Sequence, residues 1–418
     1  MLLHLQSALG IVTILFLAWI FSEDRRAFPW RSVAGGLFLQ VVLALLLLNI
    51  QAARDALFAL NGLVDALSSA TSAGTSLVFG YIGGGPVPFT VTNPAGMTSF
   101  AFGVLPLVLV IAALSALLWH WRVLPIVVGA IAFVLRKTMG LGGAVGLGSG
   151  ATAFLGMVEA PLLIKPYLAR LSRAELFILM TVGLASVAGT VFVLYATILK
   201  NTVPGALGHI LVASMMSLPA GILIARIMVP GTVVTDTKES RDVHYRSSID
   251  AIVRGTEDGL KMFLQIMAML IVFVALVALA DVILKNLPWV NGLPLTLERM
   301  FGWAFAPIVW LLGVPWDQTV AAGSLMGTKT VLNELIAYLH LASLPSGSLD
   351  PRTTLIMVYA LCGFANPGSV GILIAGLSSL APERRDEIVP LAMRALFSGT
   401  LASSLTGAVI GFLPISPA

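Results

Sequence analysis

The chain has 418 residues, of which 58% are hydrophobic and only 11% charged, against about 25% charged in an ordinary soluble domain. So few charges cannot cover a soluble fold of this length, and a mean hydropathy of +0.98 points the same way: this is a membrane protein. The net charge of +4 arises from Lys and Arg spread over short loops, a bias that reflects membrane orientation and not nucleic-acid binding. Cys362 has no disulfide partner, and His4, His120, His209, His244 and His340 lack metal-ligand spacing.

The first apolar run, Leu5 to Phe21, has no positive leader and no small-residue cleavage site, so it reads as a retained span and not a signal peptide. Arg25, Arg26 and Arg31 follow it; the positive-inside rule makes that loop cytoplasmic and the N-terminus periplasmic. A second span runs from Val33 to Ile50. Gln51 to Phe79 carries Arg54, Asp55 and Asp65, and is predicted to lie along the interface or against protein. After the Gly/Pro loop Tyr81 to Met97, Ser99 to Leu118 is a third span, with Trp119 and Trp121 in the interfacial belt.

Leu124 to Leu135 is a short apolar run ending at Arg136 and Lys137. Residues 139–165 are glycine-rich and contain Glu159, with Pro161 just beyond, and are predicted to form a re-entrant hairpin. In that segment Gly142, Gly146 and Gly150 have the spacing of close helix packing. Residues 174–200 are span-sized but interrupted at Gly183, Ser186, Gly189 and Thr190; Gly208 to Val229 is another span. A charged segment, Asp236 to Lys261, with Arg246, Asp250 and Arg254 at i, i+4 spacing, is placed as an amphipathic helix on the cytoplasmic surface. Met262 to Leu284 is a nearly unbroken span, and Phe301 to Val314 a shorter apolar stretch. Residues 317–341 repeat the hairpin pattern around Glu334. Residues 351–380 repeat the broken span, interrupted at Gly363, Asn366, Pro367, Gly368 and Ser369. Residues 388–413 form the last span.

The repetition carries the functional argument. Each half has a hairpin-sized segment with one glutamate, then a span broken at its centre by glycine and small polar residues. Interrupted segments at matching positions in two halves point to a transporter's binding site. Unwound backbone is tolerated at membrane depth only where it faces a wet cavity or a ligand, and an unpaired carboxylate there is costly. One glutamate alone could serve packing, Glu159 with Lys165 and Glu334 with Lys329; a matched set favours one polar site rich in acceptors, suited to a solute with several hydroxyls.

Three strings now resemble a known family, the concentrative nucleoside transporters. Gly156-Met-Val-Glu-Ala-Pro-Leu-Leu-Ile-Lys-Pro-Tyr-Leu168 looks like the first hairpin motif of that family. Gly327-Thr-Lys-Thr-Val-Leu-Asn-Glu-Leu-Ile-Ala-Tyr338 looks like the second, and Cys362-Gly-Phe-Ala-Asn-Pro-Gly-Ser-Val-Gly371 like the broken-helix signature. The resemblance implies an all-α polytopic fold with about eight transmembrane helices and two re-entrant hairpins in an inverted repeat. It divides the chain into scaffold (1–123 and 231–315) and transport (124–230 and 316–418) parts. It also implies a homotrimer in the bacterial inner membrane, in contact with lipid, importing nucleosides with a cation by an elevator-like movement.

Carried over by motif, Glu334, Asn366 and Ser369 match the ribose-reading positions, Phe364 an aromatic beside the nucleoside, and Glu159 the first-hairpin carboxylate; Val191 joins the same substrate set. The base-reading pair departs from the family pattern: where Gln and Ser or Thr are common, this chain has Met157 and Val158. An apolar patch rewards size and fit over hydrogen-bond matching, so reduced selectivity for pyrimidines is expected. The sodium site implied by the family maps to Thr152 (where an Asn is common), Ser186 and the carbonyls of Leu155 and Val187. Sodium and proton coupling both stay open, the latter with Glu159 or Glu334 as carrier. Two further readings remain open, a same-fold carrier of another nucleoside-like solute and a nucleoside-gated channel or sensor. An enzyme is not expected, because the glutamates have no metal motif, no nucleophile with a base and no phosphate cradle.

Overall fold

The computed structural model describes residues 2–91, 99–157, 159–231, 235, 245–290 and 292–414, with the backbone alone for 52–61. Val158, part of the loop 81–97 and the Asp236 to His244 part of the charged segment lie outside the described residues. Among the described residues the chain is helical, apart from one isolated bridge between Val290 and Leu293. The N-terminal helices are α1 (Leu2–Ile20), α2 (Trp30–Asn49), α3 (Gln51–Phe79) and α4 (Leu107–His120), the last preceded by a π turn, Phe100–Val104. There follow α5 (Val123–Met139), α6 (Gly143–Leu155), α7 (Glu159–Leu163), α8 (Lys165–Leu168), α9 (Arg173–Ala185), α10 (Gly189–Leu199) and α11 (Ala206–Met228). The long α12 (Ser248–Leu284) precedes α13 (Leu297–Leu311), α14 (Thr319–Val331), α15 (Glu334–Ser343), α16 (Pro351–Leu361), α17 (Pro367–Leu380) and α18 (Arg385–Phe412).

Seven helical segments among the described residues are long and apolar enough to cross a membrane, including the broken pair α9–α10. The two segments expected as hairpins are the contacting helix pairs α6–α7, parted at Gly156 and Met157, and α14–α15, parted at Leu332 and Asn333. Packing repeats in register across the two halves. α5 packs on α6 as α13 does on α14; α6 meets α9 as α14 meets α16; α9 and α10 pack on α11 as α16 and α17 do on α18. The closing helices α11 and α18 pack on each other and hold the halves together.

Local chemistry sets the breaks. Ser172 and Glu175 form a capping box that starts α9, satisfying two orphan donors reciprocally. Asp350 caps α16 with Pro351 at its first position, and Asn366 caps α17 with Pro367 likewise. Proline there has a preset φ and no donor to waste. The glycine stripe of α6 serves packing: a Cβ at Gly150 would stand 3.2 Å from the Ala132 nitrogen and Val128 oxygen of α5, and one at Gly146 would meet the Arg136 side chain at 2.5 Å.

Three placements differ from the sequence expectation. First, the charged stretch Ser248 to Lys261 is no separate surface helix but the first turns of α12, opened by a Ser247 cap and an Asp250–Arg254 ion pair of 3.0 Å. No proline interrupts it, and Gly255 and Gly259 are taken up by close packing on α4, so one 37-residue helix forms. Second, α1 and α2 pack mainly on α18 and α11, whereas α4 packs on α12. Small residues also bring α1 onto the end of α13: Ser7 Oγ donates to Leu312 O at 2.9 Å, and a Cβ on Gly10 would strike Leu311 O. Third, α13 packs chiefly on α14 of the second half, since Gly302, Gly323 and Gly327 leave no side chain between them. α3 lies against α2 and α11, in agreement with its mixed polarity.

Candidate functional site

Four helix ends created by the breaks surround a half-open cavity of about 400 Å³, whose other wall is α12. Its lining includes Met157 and Glu159 from the first hairpin, Val191 from α10, Glu334 from the second hairpin, and Phe364, Asn366 and Ser369 from the second broken span. The structure thus brings together every described residue expected to touch substrate. The volume is in the range typical of small-molecule sites.

Glu334 anchors the floor. It is the first residue of α15, after the Asn333 cap, so its carboxylate sits at the positive end of the helix. It is buried, as are Asn366 and Ser369. One carboxylate oxygen accepts from Tyr195 Oη at 2.6 Å and the other from Asn366 Nδ2 at 3.2 Å. The Asn366 amide cannot be turned around without loss, because its Oδ1 accepts the Ser369 N–H at 2.9 Å as the α17 cap. Cap, amide and carboxylate form one chain of bonds, and the remaining lone pairs of Glu334 are acceptors for donors arriving in the cavity. The packing role considered for Lys329 beside Glu334 is not what the structure has: Lys329 Nζ donates to Ala360 O and Ser403 Oγ.

The two breaks touch. Phe364 N–H donates to Ser186 O at 3.2 Å, and a Cβ on Gly363 would stand 2.6 Å from Ala185 O. The first hairpin closes on the same point, since a Cβ on Gly189 would lie 3.0 Å from Phe154 O. Thr152, Ser186 and Val187 are buried, and Leu155 borders the cavity. Thr152 Oγ1 donates to Gly148 O at 2.8 Å and Ser186 Oγ to Val182 O at 2.9 Å. Each hydroxyl proton is therefore spent on its own helix, which leaves oxygen lone pairs as the outward face. Hard cations are held by such oxygens. Among the described residues no group of three or more His, Cys, Asp or Glu could hold a transition metal.

Sequence reasoning missed part of the lining. Tyr195 lies one helical turn beyond Val191 on α10, a spacing that could have flagged it. α12 contributes Asp258, Lys261, Gln265, Met269 and Phe273. Their recurrence at intervals of three and four marks one helix face, but the sequence reading divided this face between a charged surface segment ending at Lys261 and a nearly unbroken span from Met262.

The comparisons with known proteins agree. Models of the Na+ dependent nucleoside transporter N-terminus and C-terminus match residues 9–82 and 209–411, and one for nucleoside recognition matches 101–202. The chain is 37% identical over 413 residues to the uncharacterized transporter YutK of Bacillus subtilis, covering 97% of this chain and 98% of that one. It is 34% identical over 415 residues to the nucleoside permease NupC of Helicobacter pylori, covering 97% of both. The solved structure of CNTnw in an inward-facing, substrate-bound state superposes with a TM-score of 0.89 at 34% identity, over 98% of this chain and 97% of that one. An outward-facing CNTnw variant gives 0.90 at 33% identity, over 98% and 97%. By fold, by repeat and by these matches, the chain is a multi-pass membrane protein that belongs to the concentrative nucleoside transporter family.

Proposed function

We propose that this protein imports nucleosides across a bacterial inner membrane, driven by sodium, with Glu334, Asn366 and Ser369 reading the ribose. The observation that carries this reading is the buried Glu334 carboxylate, held between Tyr195 and the capping amide of Asn366 at the floor of the cavity. Glu159 approaches from the first hairpin, while Phe364, Val191, Met157 and the neighbouring Val158 take the base. The hydroxyls of Thr152 and Ser186 and the carbonyls of Leu155 and Val187 would form an oxygen cage at the crossing of the breaks. A cage of spent hydroxyls and carbonyls suits Na+ better than H+, because none of these oxygens is a base.

The moving part of the elevator would comprise the two repeats together with α1, α2 and α13, which pack on them. α3, α4 and α12 would be the frame. α12 presents exposed Ile271, Leu276, Leu279 and Ile283, a surface for lipid or for the other copies of a homotrimer. Orientation follows from one charged face. Glu23 in the α1–α2 loop pairs with Arg173 at 2.9 Å and Arg394 at 2.6 Å, which gathers the first residue of α9 and the third turn of α18 with Arg25 and Arg26 on one side. The Arg173 hydrogen bond holds Glu23 below the ordinary carboxylate range. The positive-inside rule makes this side cytoplasmic and the N-terminus periplasmic.

The test is uptake of labelled adenosine and uridine into proteoliposomes under a sodium or a proton gradient. A sodium gradient should concentrate both nucleosides, and Thr152→Val should raise the half-saturating sodium about tenfold, one lost oxygen ligand being worth about 1.4 kcal/mol. Uptake driven by protons alone would move coupling to Glu159 or Glu334, and equilibration without accumulation would make the protein a channel.

Met157 is buried against Gly183 on the cavity wall. Replacing it with an amide that can bond a base edge should shift preference. Met157→Gln is expected to raise uridine over adenosine uptake several-fold, within the roughly 0.5–1.5 kcal/mol that one net hydrogen bond contributes. An unchanged ratio would take the base away from this wall.

A further inference from the structure

Lys329 is fully buried in α14, five residues before Glu334. An ammonium removed from water needs a carboxylate or several well-placed oxygens. Lys329 has the second arrangement: its Nζ donates to Ala360 O, near the last turn of α16 just before the break, and to Ser403 Oγ on α18. Neither acceptor carries a charge. A carbonyl and a hydroxyl are the oxygen types that also line the cage of the first repeat.

The elements correspond one for one. In the first repeat the cage oxygens belong to α6, to the end of α9 and to the following break, and Ser214 of α11 donates to Val187 O at 3.4 Å. In the second repeat Lys329, Ala360 and Ser403 belong to α14, α16 and α18, which pack as α6, α9 and α11 do. A hydroxyl equivalent to Thr152 cannot be placed on α14. Seven residues before Glu334 is Gly327, where a Cβ would meet the Phe301 side chain at 2.3 Å. The cation in this half is supplied from two residues further along the same helix.

We propose that the Lys329 ammonium is a resident cation of the second repeat, filling the place that an exchangeable ion takes in the first. The second half then carries a fixed positive charge near Glu334 through the whole cycle, and transport uses one sodium per nucleoside instead of two. This rests on the sodium-coupled reading above.

The experiment measures, in proteoliposomes, the sodium dependence and the charge moved per nucleoside for wild type, Lys329→Ala and Lys329→Arg. Wild type should give a Hill coefficient of about one, and Lys329→Ala a coefficient approaching about two with half-saturating sodium raised at least about tenfold. Lys329→Arg, which keeps the charge, should stay close to wild type in coefficient. Two charges per nucleoside in wild type would overturn the proposal, as would wild-type sodium dependence in Lys329→Ala. A second readout needs no transport. Without nucleoside, the melting temperature of Lys329→Ala should rise more steeply with NaCl than that of wild type, with choline chloride holding ionic strength constant. Equal slopes would leave Lys329 a packing residue. A wild type that fails to concentrate nucleoside on a sodium gradient would sink the functional reading, and the melting series would still decide the cage.

Discussion

Glu334→Gln is expected to lower nucleoside uptake by at least about a hundredfold while the protein remains folded, a loss of roughly 3 kcal/mol in binding the substrate. The substitution keeps shape and changes only charge and bonding. Both carboxylate oxygens accept in the native site, one from Tyr195 and one from Asn366. The Asn366 amide is pinned by its cap to Ser369, so the glutamine must turn its oxygen to Asn366 and its NH2 to Tyr195. The tyrosine hydroxyl can rotate and accept, which preserves the fold. What vanishes is the anionic acceptor proposed for the ribose hydroxyls, and hydrogen bonds to an ionised partner are about twice as strong as neutral ones. Nucleoside-dependent thermal stabilisation should disappear with uptake. Retention of uptake within a few-fold of wild type would remove Glu334 from the substrate site.

The candidate cavity was legible in the sequence because the features that build it are punctuation. Gly156, Ser186, Asn366 and Pro367 break helices, and a break at membrane depth has few uses. The two glutamates marked what the breaks enclose. Long-range packing was not legible. α1 and α2 have the composition of any lipid-facing span, and only the small residues Ser7, Gly10 and Gly36 hint that they dock on the repeats. The charges at the start of α12 suggested a surface helix, although charge says nothing about where a helix ends. Gln265 and Tyr195 escaped for a related reason: each sits in an apolar run, and a single polar residue there is informative only once the helix face opposite is known. Lys329 was noticed but paired with its neighbour in sequence, whereas its partners lie 31 and 74 residues away.

The crossing of the two breaks gives the second large effect. Gly363→Ala is expected to reduce uptake at least about tenfold and to lower stability by roughly 1–3 kcal/mol, the usual cost of forcing a methyl into a packed site. An alanine Cβ there would stand 2.6 Å from Ala185 O, 3.0 Å from its carbonyl carbon and 3.2 Å from Leu184 O. All three are backbone atoms at the end of α9, and none can rotate away. The breaks must therefore separate, which stretches the Phe364 N–H bond to Ser186 O. That moves an aromatic of the candidate cavity and a residue of the proposed ion cage together. Functional groups tolerate displacements of only about 0.5 Å before performance falls, so uptake and sodium affinity should decline in parallel. Gly371→Ala is the control. It lies eight residues along, on an exposed turn of α17, and its Cβ would meet nothing within 4 Å. It should leave uptake unchanged and stabilise the helix by about 1 kcal/mol. If the two alanines behave alike, the contact between the breaks does not couple ion to nucleoside, and coupling must run through the hairpins instead.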